Sequence, residues 1–227
     1  MLKICCLPIT DDAMTPEDMV LLDYVSPARR ERVLKYRFDK DRKLSLYAAL
    51  LARKMIAEMT GADPRQLTFA EDPRHKPYVI GYPDIHFNFS HTHGMVLCAV
   101  SDEGEVGADV EELRPAPLQV MRKVFHPEEI QYVLGDNMTE GRSERFFEIW
   151  TKKEAYTKYL GTGLVIETDQ INTLDKNLEH SFLMFRESSY QMSVCSLSCN
   201  QSSFSKASGP LIKSFYKFRK DMIPSSE

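Results

Sequence analysis

The segment Val106-Gly107-Ala108-Asp109-Val110-Glu111-Glu112 alternates with a period of two. It therefore reads as a strand with Val106, Ala108 and Val110 on one face and Gly107, Asp109 and Glu111 on the other. Forty-five positions after Asp109 stands Glu154, within Trp150-Thr151-Lys152-Lys153-Glu154-Ala155-Tyr156-Thr157-Lys158. Phe147, Trp150 and Glu154 follow i, i+3, i+7 spacing, so this second segment is a helix whose core-facing stripe carries a carboxylate. A carboxylate in apolar company requires a charged partner. Two strand carboxylates and one helix carboxylate make a hard, oxygen-rich set suited to Mg²⁺, with Mn²⁺ as an alternative. Mg²⁺ leaves its remaining positions to water and phosphate oxygens, so the ligand expected beside Asp109, Glu111 and Glu154 is phosphorylated. Taken alone, a bare Asp-x-Glu is more often the polar face of an edge strand, and Glu154 with Lys158 is an ordinary i, i+4 surface pair. The second motif, and the apolar neighbours of Glu154, weigh against both.

The remaining elements follow from caps and periodicity. Thr15-Pro16 and Ser26-Pro27 each read as an N-cap followed by a first-turn proline, opening short helices. A longer helix is expected from about Asp41 to Thr60, with Leu44, Tyr47, Leu51 and Met55 in its stripe and Gly61 as its stop. Strands follow at Ile85 to Phe89 and at Met95 to Val100, before the Asp109 strand. Arg114-Pro115-Ala116-Pro117 breaks the pattern and marks a boundary. Beyond it come helices at Leu118 to Val124, Pro127 to Leu134 and Ser143 to Leu160, the last two stopped by Gly135 and Gly161. Strands are then expected at Gln170 to Leu174, Ser181 to Arg186 and Tyr190 to Leu197. Asn200 to Gly209 is Ser-rich and reads as a mobile tail, followed by a short basic amphipathic helix at Leu211 to Arg219. The fold class is α+β: two similar halves, residues 1–113 and 114–227, each a small sheet packed on helices.

Charge narrows the function classes. A net charge of −4 and a pI near 5.9 argue against general nucleic-acid binding. Residues 29 to 43 are nevertheless locally basic, with Arg29, Arg30, Arg32, Lys35, Arg37, Lys40, Arg42 and Lys43 against Glu31, Asp39 and Asp41. The apolar run in residues 1–9 is too short for a signal peptide and nothing suggests a membrane span, so the chain reads as cytoplasmic. Five cysteines without a Cys-x-x-Cys pair point to reduced thiols and to neither a disulfide framework nor a zinc site.

At these residues the chain resembles the 4′-phosphopantetheinyl transferases of the longer, surfactin-synthetase-activating type. Their signature is Gly-x-Asp and, some forty residues later, aromatic, small hydroxyl or Cys, any residue, Lys-Glu, small, two of any kind, Lys. Gly107-Ala108-Asp109 and Trp150 through Lys158 fill every slot. Ser26-Pro27-Ala28-Arg29-Arg30-Glu31-Arg32, His75-Lys76-Pro77 and Phe87-Asn88-Phe89-Ser90-His91 match in the family's order. The likeness spans about residues 20 to 170.

The resemblance implies a monomer folded as a pseudo-dimer, its two α+β halves related by a pseudo-two-fold axis with the site in the cleft between them. It implies transfer of the phosphopantetheine arm of coenzyme A to a serine of an apo acyl or peptidyl carrier protein, with adenosine 3′,5′-bisphosphate released. Metal ligands would be Asp109, Glu111 and Glu154. Coenzyme A would be held by Arg29, Arg32, Lys43, Lys76, Ser90, His91, Lys153 and Lys158, with Arg29 and Arg32 on the 3′-phosphate and Lys158 on the pyrophosphate. Where relatives often carry an arginine near the start of the long helix for the 3′-phosphate, this chain has Arg42-Lys43-Leu44, so that contact would pass to a neighbouring basic residue. The serine proton could pass to Glu154, to Glu129 or to a metal-bound water. The acidic carrier would dock on second-half helices such as Met121 to Phe125. Another Mg²⁺-dependent phosphotransferase or hydrolase would explain the carboxylates but not the His75-Lys76-Pro77 and Ser90-His91 matches. A non-catalytic carrier-binding module would be expected to lack a metal ligand.

Overall fold

The structure is a computed structural model that describes residues 1–135, 139–162, 167–176, 178, 180–197 and 201–221, the last four of these as backbone only. Nine strands are described: β1 (Leu2–Pro8), β2 (Phe69–Glu71), β3 (Pro77–Val79), β4 (His86–Thr92), β5 (Met95–Ser101), β6 (Val106–Glu112), β7 (Ser181–Glu187), β8 (Tyr190–Ser196) and β9 (Ser202–Lys206). The helices are α1 (Pro16–Leu21), α2 (Pro27–Lys35), α3 (Asp39–Thr60), α4 (Met121–Val124), α5 (Pro127–Leu134), α6 (Arg142–Leu160) and α7 (Gly209–Asp221). The expected caps are in place. The Thr15 hydroxyl accepts from the Asp18 amide and Ser26 Oγ from the Arg29 amide, while Gly61 and Gly161 end α3 and α6 in the left-handed conformation that glycine adopts without steric cost.

Two sheets lie between two long helices. The first has strand order β4-β5-β1-β9 and the second β6-β8-β7, with β2 and β3 forming a separate hairpin. β1 and β5 are buried on both faces. Leu7, Val96, Cys98 and Val100 pack against α3 with Leu46, Leu50 and Leu51. Leu2, Ile4, Cys6, Leu97 and Ala99 meet Val106, Ala108, Val110, Met192 and Val194 of the second sheet. A third apolar cluster, Met121, Phe125, Val133, Phe146, Phe147 and Ile149, joins α4, α5 and α6. The alternation of β6 is therefore resolved as expected: its valines and alanine enter the inter-sheet core, while Gly107, Asp109 and Glu111 leave by the opposite face, against which α6 packs.

Several boundaries differ from the sequence expectation. Residues 171–174 form no strand; the described chain runs as a 3₁₀ turn over Thr168–Gln170 and then as loop and turn. The N-terminal apolar run is β1, a central strand. Residues 201–217 are not a mobile tail, since β9 pairs parallel to β1 and α7 packs on α1 and α3. Ile212 and Tyr216 are fully buried, Tyr24 Oη donates to the Tyr216 carbonyl at 2.9 Å, and Tyr216 Oη donates to the Leu50 carbonyl at 2.7 Å. A buried aromatic with both polar ends satisfied outweighs a locally Ser-rich composition. The sheets also cross the line between residues 113 and 114: β6 joins the second sheet, and β9 returns from the far end of the chain to the first.

Candidate active site

The site is built where two sheet edges face each other. Among the described residues β4 is paired only to β5 and β6 only to β8, so each presents an open edge, and the two edges lie side by side. Side chains cross the gap. Ser90 Oγ donates to Asp109 Oδ1 at 2.9 Å, and Asn88 Oδ1 accepts from the Ala108 amide at 3.0 Å. From α6, Lys158 Nζ donates to Asp109 Oδ1 at 2.6 Å, to Ser90 Oγ at 3.1 Å and to the Ala108 carbonyl at 3.2 Å. Three motifs separated by up to 68 positions thus converge on one carboxylate.

Gly107 explains how α6 comes this close. A Cβ at this position would lie 1.9 Å from the Ala155 carbonyl oxygen and 2.4 Å from the Tyr159 amide nitrogen, both backbone atoms that cannot step aside. Only glycine admits the helix backbone onto the strand. That contact sets the height at which Glu154 and Lys158 stand over Asp109.

The electrostatics of the carboxylates are consistent with a cation site. Asp109 is 4% exposed and its Oδ2 has no hydrogen-bond partner, an orphaned buried acceptor that a cation or a phosphate-bound water satisfies. Glu111 and Glu154 are half-buried, and burial and then the Asp109 charge raise both carboxyls above their ordinary value. The Arg114 charge, then the Trp150 indole, oppose that shift at Glu111. Among the described residues, however, no three of His, Cys, Asp and Glu stand close enough to form a finished metal cluster. The ammonium of Lys158 answers the Asp109 charge in this arrangement.

The expected coenzyme A contacts divide into two groups. Arg29 lies over the Phe89 ring at 5.5 Å and, with Arg32, lines a cavity of about 160 Å³ bounded by Ala49, Ala52, Phe69, Phe87 and Pro77. His91 sits at the surface next to Ser90, and partial desolvation, then the Lys158 and Arg29 charges, push its imidazole pKa down. Phe89, which lines this cavity, immediately precedes Ser90 on β4. The second group is engaged by other groups of the protein. Lys43 is buried and turned toward the N-terminal loop, donating to the Ala13 carbonyl at 2.7 Å and pairing with Asp18 at 3.5 Å. Lys76 pairs with Glu105 at 2.5 Å and donates to the Tyr159 carbonyl at 2.8 Å, capping the end of α6.

Lys153, immediately before Glu154 on α6, and Glu129 form a buried knot. Lys153 Nζ reaches Glu129 Oε2 at 2.7 Å and the Thr168 and Ile171 carbonyls at 2.6 Å each. Glu129 is fully buried; its Oε2 also accepts from the His126 amide at 2.8 Å, and its Oε1 accepts from the amide and hydroxyl of Thr173 at 2.8 Å. It is the N3 residue of a capping box opened by His126, a signal present in His126-Pro127-Glu128-Glu129. Helix α4, expected to dock a carrier through apolar side chains, differs from that expectation: Met121 and Phe125 are buried in the third core cluster, and Arg122 and Lys123 face outward. Asn88 and Trp150 lie within motifs read from the sequence, but motif spacing did not show the Asn88 contact to the Ala108 amide or the Trp150 indole contact to Glu111.

Comparison with known proteins fits this geometry. Residues 13–103 match the family model described as 4′-phosphopantetheinyl transferase, N-terminal, and residues 105–200 match that of the 4′-phosphopantetheinyl transferase superfamily. The junction falls at the turn before β6. The chain is 28% identical over 164 residues to a 4′-phosphopantetheinyl transferase of Bacillus subtilis, covering 72% of each protein. It is 32% identical to the Bacillus pumilus 4′-phosphopantetheinyl transferase psf-1 over 69% of this chain and 66% of that protein. A Synechocystis sp. relative assigned to the same family is 32% identical over 173 residues, 74% of this chain and 68% of its own length. The chain belongs to the 4′-phosphopantetheinyl transferase superfamily.

Proposed function

We infer that the protein transfers the 4′-phosphopantetheine arm of coenzyme A to a serine of an apo acyl or peptidyl carrier protein. The observation that carries this reading is the convergence of Lys158, Ser90 and Asp109 at the β4–β6 seam, beside the cavity of Arg29 and Arg32. The serine oxygen forms a bond to the β-phosphorus of coenzyme A, the bond from that phosphorus to the bridging oxygen breaks, and adenosine 3′,5′-bisphosphate leaves. Lys158 lies close enough to the seam to hold pyrophosphate oxygens there, and Arg29 and Arg32 offer forked donors to the 3′-phosphate. Asp109, Glu111 and Glu154 are the residues that would hold Mg²⁺, as the unpartnered Asp109 Oδ2 and the Glu111 and Glu154 carboxyls, raised by burial and then by the Asp109 charge, support. When bound, that ion neutralises charge developing on the leaving oxygen. Glu129 has no exposed surface and both oxygens engaged, which leaves Glu154 or a water in the cleft to take the serine proton.

The acidic carrier is read as docking against α4, where Arg122 and Lys123 are exposed and supply complementary charge. The protein is read as a cytoplasmic monomer with reduced thiols; Cys5, Cys6 and Cys98 are buried. No described helix is long and apolar enough to cross a membrane.

Intact-mass analysis tests the assignment: apo acyl and apo peptidyl carriers are incubated with the protein, coenzyme A and Mg²⁺, with a chelator control. The expected result is a chelator-sensitive gain of one phosphopantetheine on the carrier. No gain on several carriers, with release of inorganic phosphate from nucleotides instead, would replace the transferase with another Mg²⁺-dependent phosphotransferase or hydrolase. By calorimetry, coenzyme A should bind at least about tenfold more tightly than dephospho-coenzyme A, and an R29A/R32A variant should lose that difference.

A further inference from the structure

We propose that Asn88 is a positioning residue that splices the two sheet edges together and so sets the place of Asp109. The activity part of this proposal rests on the transferase reading; the structural part does not. β4 and β6 are open edges whose backbones do not pair with each other. On β6, Ala108 has its amide and carbonyl directed into the gap, and neither finds a backbone partner there. The amide is taken by Asn88 Oδ1 at 3.0 Å and the carbonyl by Lys158 Nζ at 3.2 Å. Asn88 therefore serves as a substitute rung where a ladder hydrogen bond would stand in a continuous sheet.

The geometry points to this residue for three reasons. Asn88 is 9% exposed, so its amide is committed to a protein partner rather than to solvent. It lies two positions from Ser90 on the same strand face, and its partner Ala108 immediately precedes Asp109, so one hydrogen bond sets the register between the Ser90 hydroxyl and the Asp109 carboxylate. Its ring-bearing neighbours Phe87 and Phe89 point the other way, into the α3 side of the sheet, which fixes the strand and leaves the seam spacing to Asn88 and Ser90. Without the rung, Lys158 and Ser90 hold Asp109 only through flexible side-chain ends.

Asn88→Leu keeps the volume and removes the acceptor, whereas Asn88→Asp keeps an acceptor at the same reach. The first readout is hydrogen exchange of the Ala108 amide, measured by NMR without substrate. Protection is expected in the wild type and in N88D and is expected to be lost in N88L. The second is kinetic: in N88L, kcat should fall by roughly ten- to a hundredfold, with the KM for coenzyme A changed less than about threefold, as a displaced reacting group predicts. N88D should restore most of kcat. If N88L does not fold, N88A is read in the same way. Ala108 protection that survives in N88L, or that is lost while kcat stays unchanged, would overturn the proposal. Wild-type transfer run alongside separates that outcome from failure of the transferase reading, because the exchange experiment needs no turnover.

Discussion

At the residue scale, chemistry and scaffold are separated by what each carboxylate touches. Asp109 keeps one oxygen unpartnered, whereas Glu129 has both oxygens saturated by His126, Thr173 and Lys153. Asp109→Asn is accordingly expected to lower kcat by at least about 100-fold while the protein stays folded, as checked by carrier mass gain and circular dichroism. Glu129→Gln should behave in the opposite way. Disturbing a buried ion pair costs about 3–5 kcal/mol, visible as a lower urea midpoint, while kcat per folded molecule stays within tenfold. A kcat loss near 10³ without a change in midpoint would instead make Glu129 the proton acceptor. Sequence spacing placed Glu129 and Lys153 on the right helices but not their partners, which come from the loop at residues 168–173, distant in sequence and without a motif.

At the scale of elements, the approach of α6 to β6 and the anchoring of α1 decide the shape of the cleft. Gly107→Ala would drive a Cβ into two backbone atoms of α6. Overpacking of this kind costs about 1–3 kcal/mol or more, and thermal melting together with loss of transfer activity would register it. On the far side of the first sheet, Asp18 is fully buried and ties α1 to α3 and α7. It accepts from Tyr47 Oη at 2.6 Å and from the Thr15 amide and hydroxyl at 2.9 and 2.8 Å, and Lys213 and Lys43 lie at 3.2 and 3.5 Å. Burial raises the Asp18 carboxyl, but the Tyr47 and Thr15 donors and Lys213 outweigh it and hold it at about 2. Because the folded value lies below that of a free carboxyl, its contribution is complete above roughly pH 4. It amounts to roughly 2 kcal/mol and is lost as pH falls toward 2. Urea midpoints measured between neutral and acid pH should show that fall in the wild type and a flatter profile in Asp18→Asn.

Over the whole molecule, the last described segment closes the first half. β9 extends the first sheet beside β1, and Ala207, Ile212 and Tyr216 complete the α3 core. Truncation after residue 200 should therefore cost more than the 3–5 kcal/mol typical of deleting a single large buried aromatic, which corresponds to a melting point lower by more than about 10 °C or to insoluble protein. A truncated chain that melts like the full one would return this segment to the role of a tail.

What the sequence determined by itself were the features that short-range physics dictates. The alternation of β6 put Asp109 and Glu111 on one face. The caps at Thr15, Ser26 and Gly161 set helix ends, and the apolar stripe of Phe147 and Trp150 turned Glu154 inward. Each depends on residues within about two turns or four strand positions of one another. Tertiary structure alone decided that β4 and β6 meet edge to edge, that Lys43, Lys76 and Lys153 are each engaged by particular carbonyls and carboxylates of the protein, and that a Ser-rich segment becomes a strand. Those outcomes depend on which distant groups are brought within hydrogen-bonding distance, and no local pattern encodes such a partner.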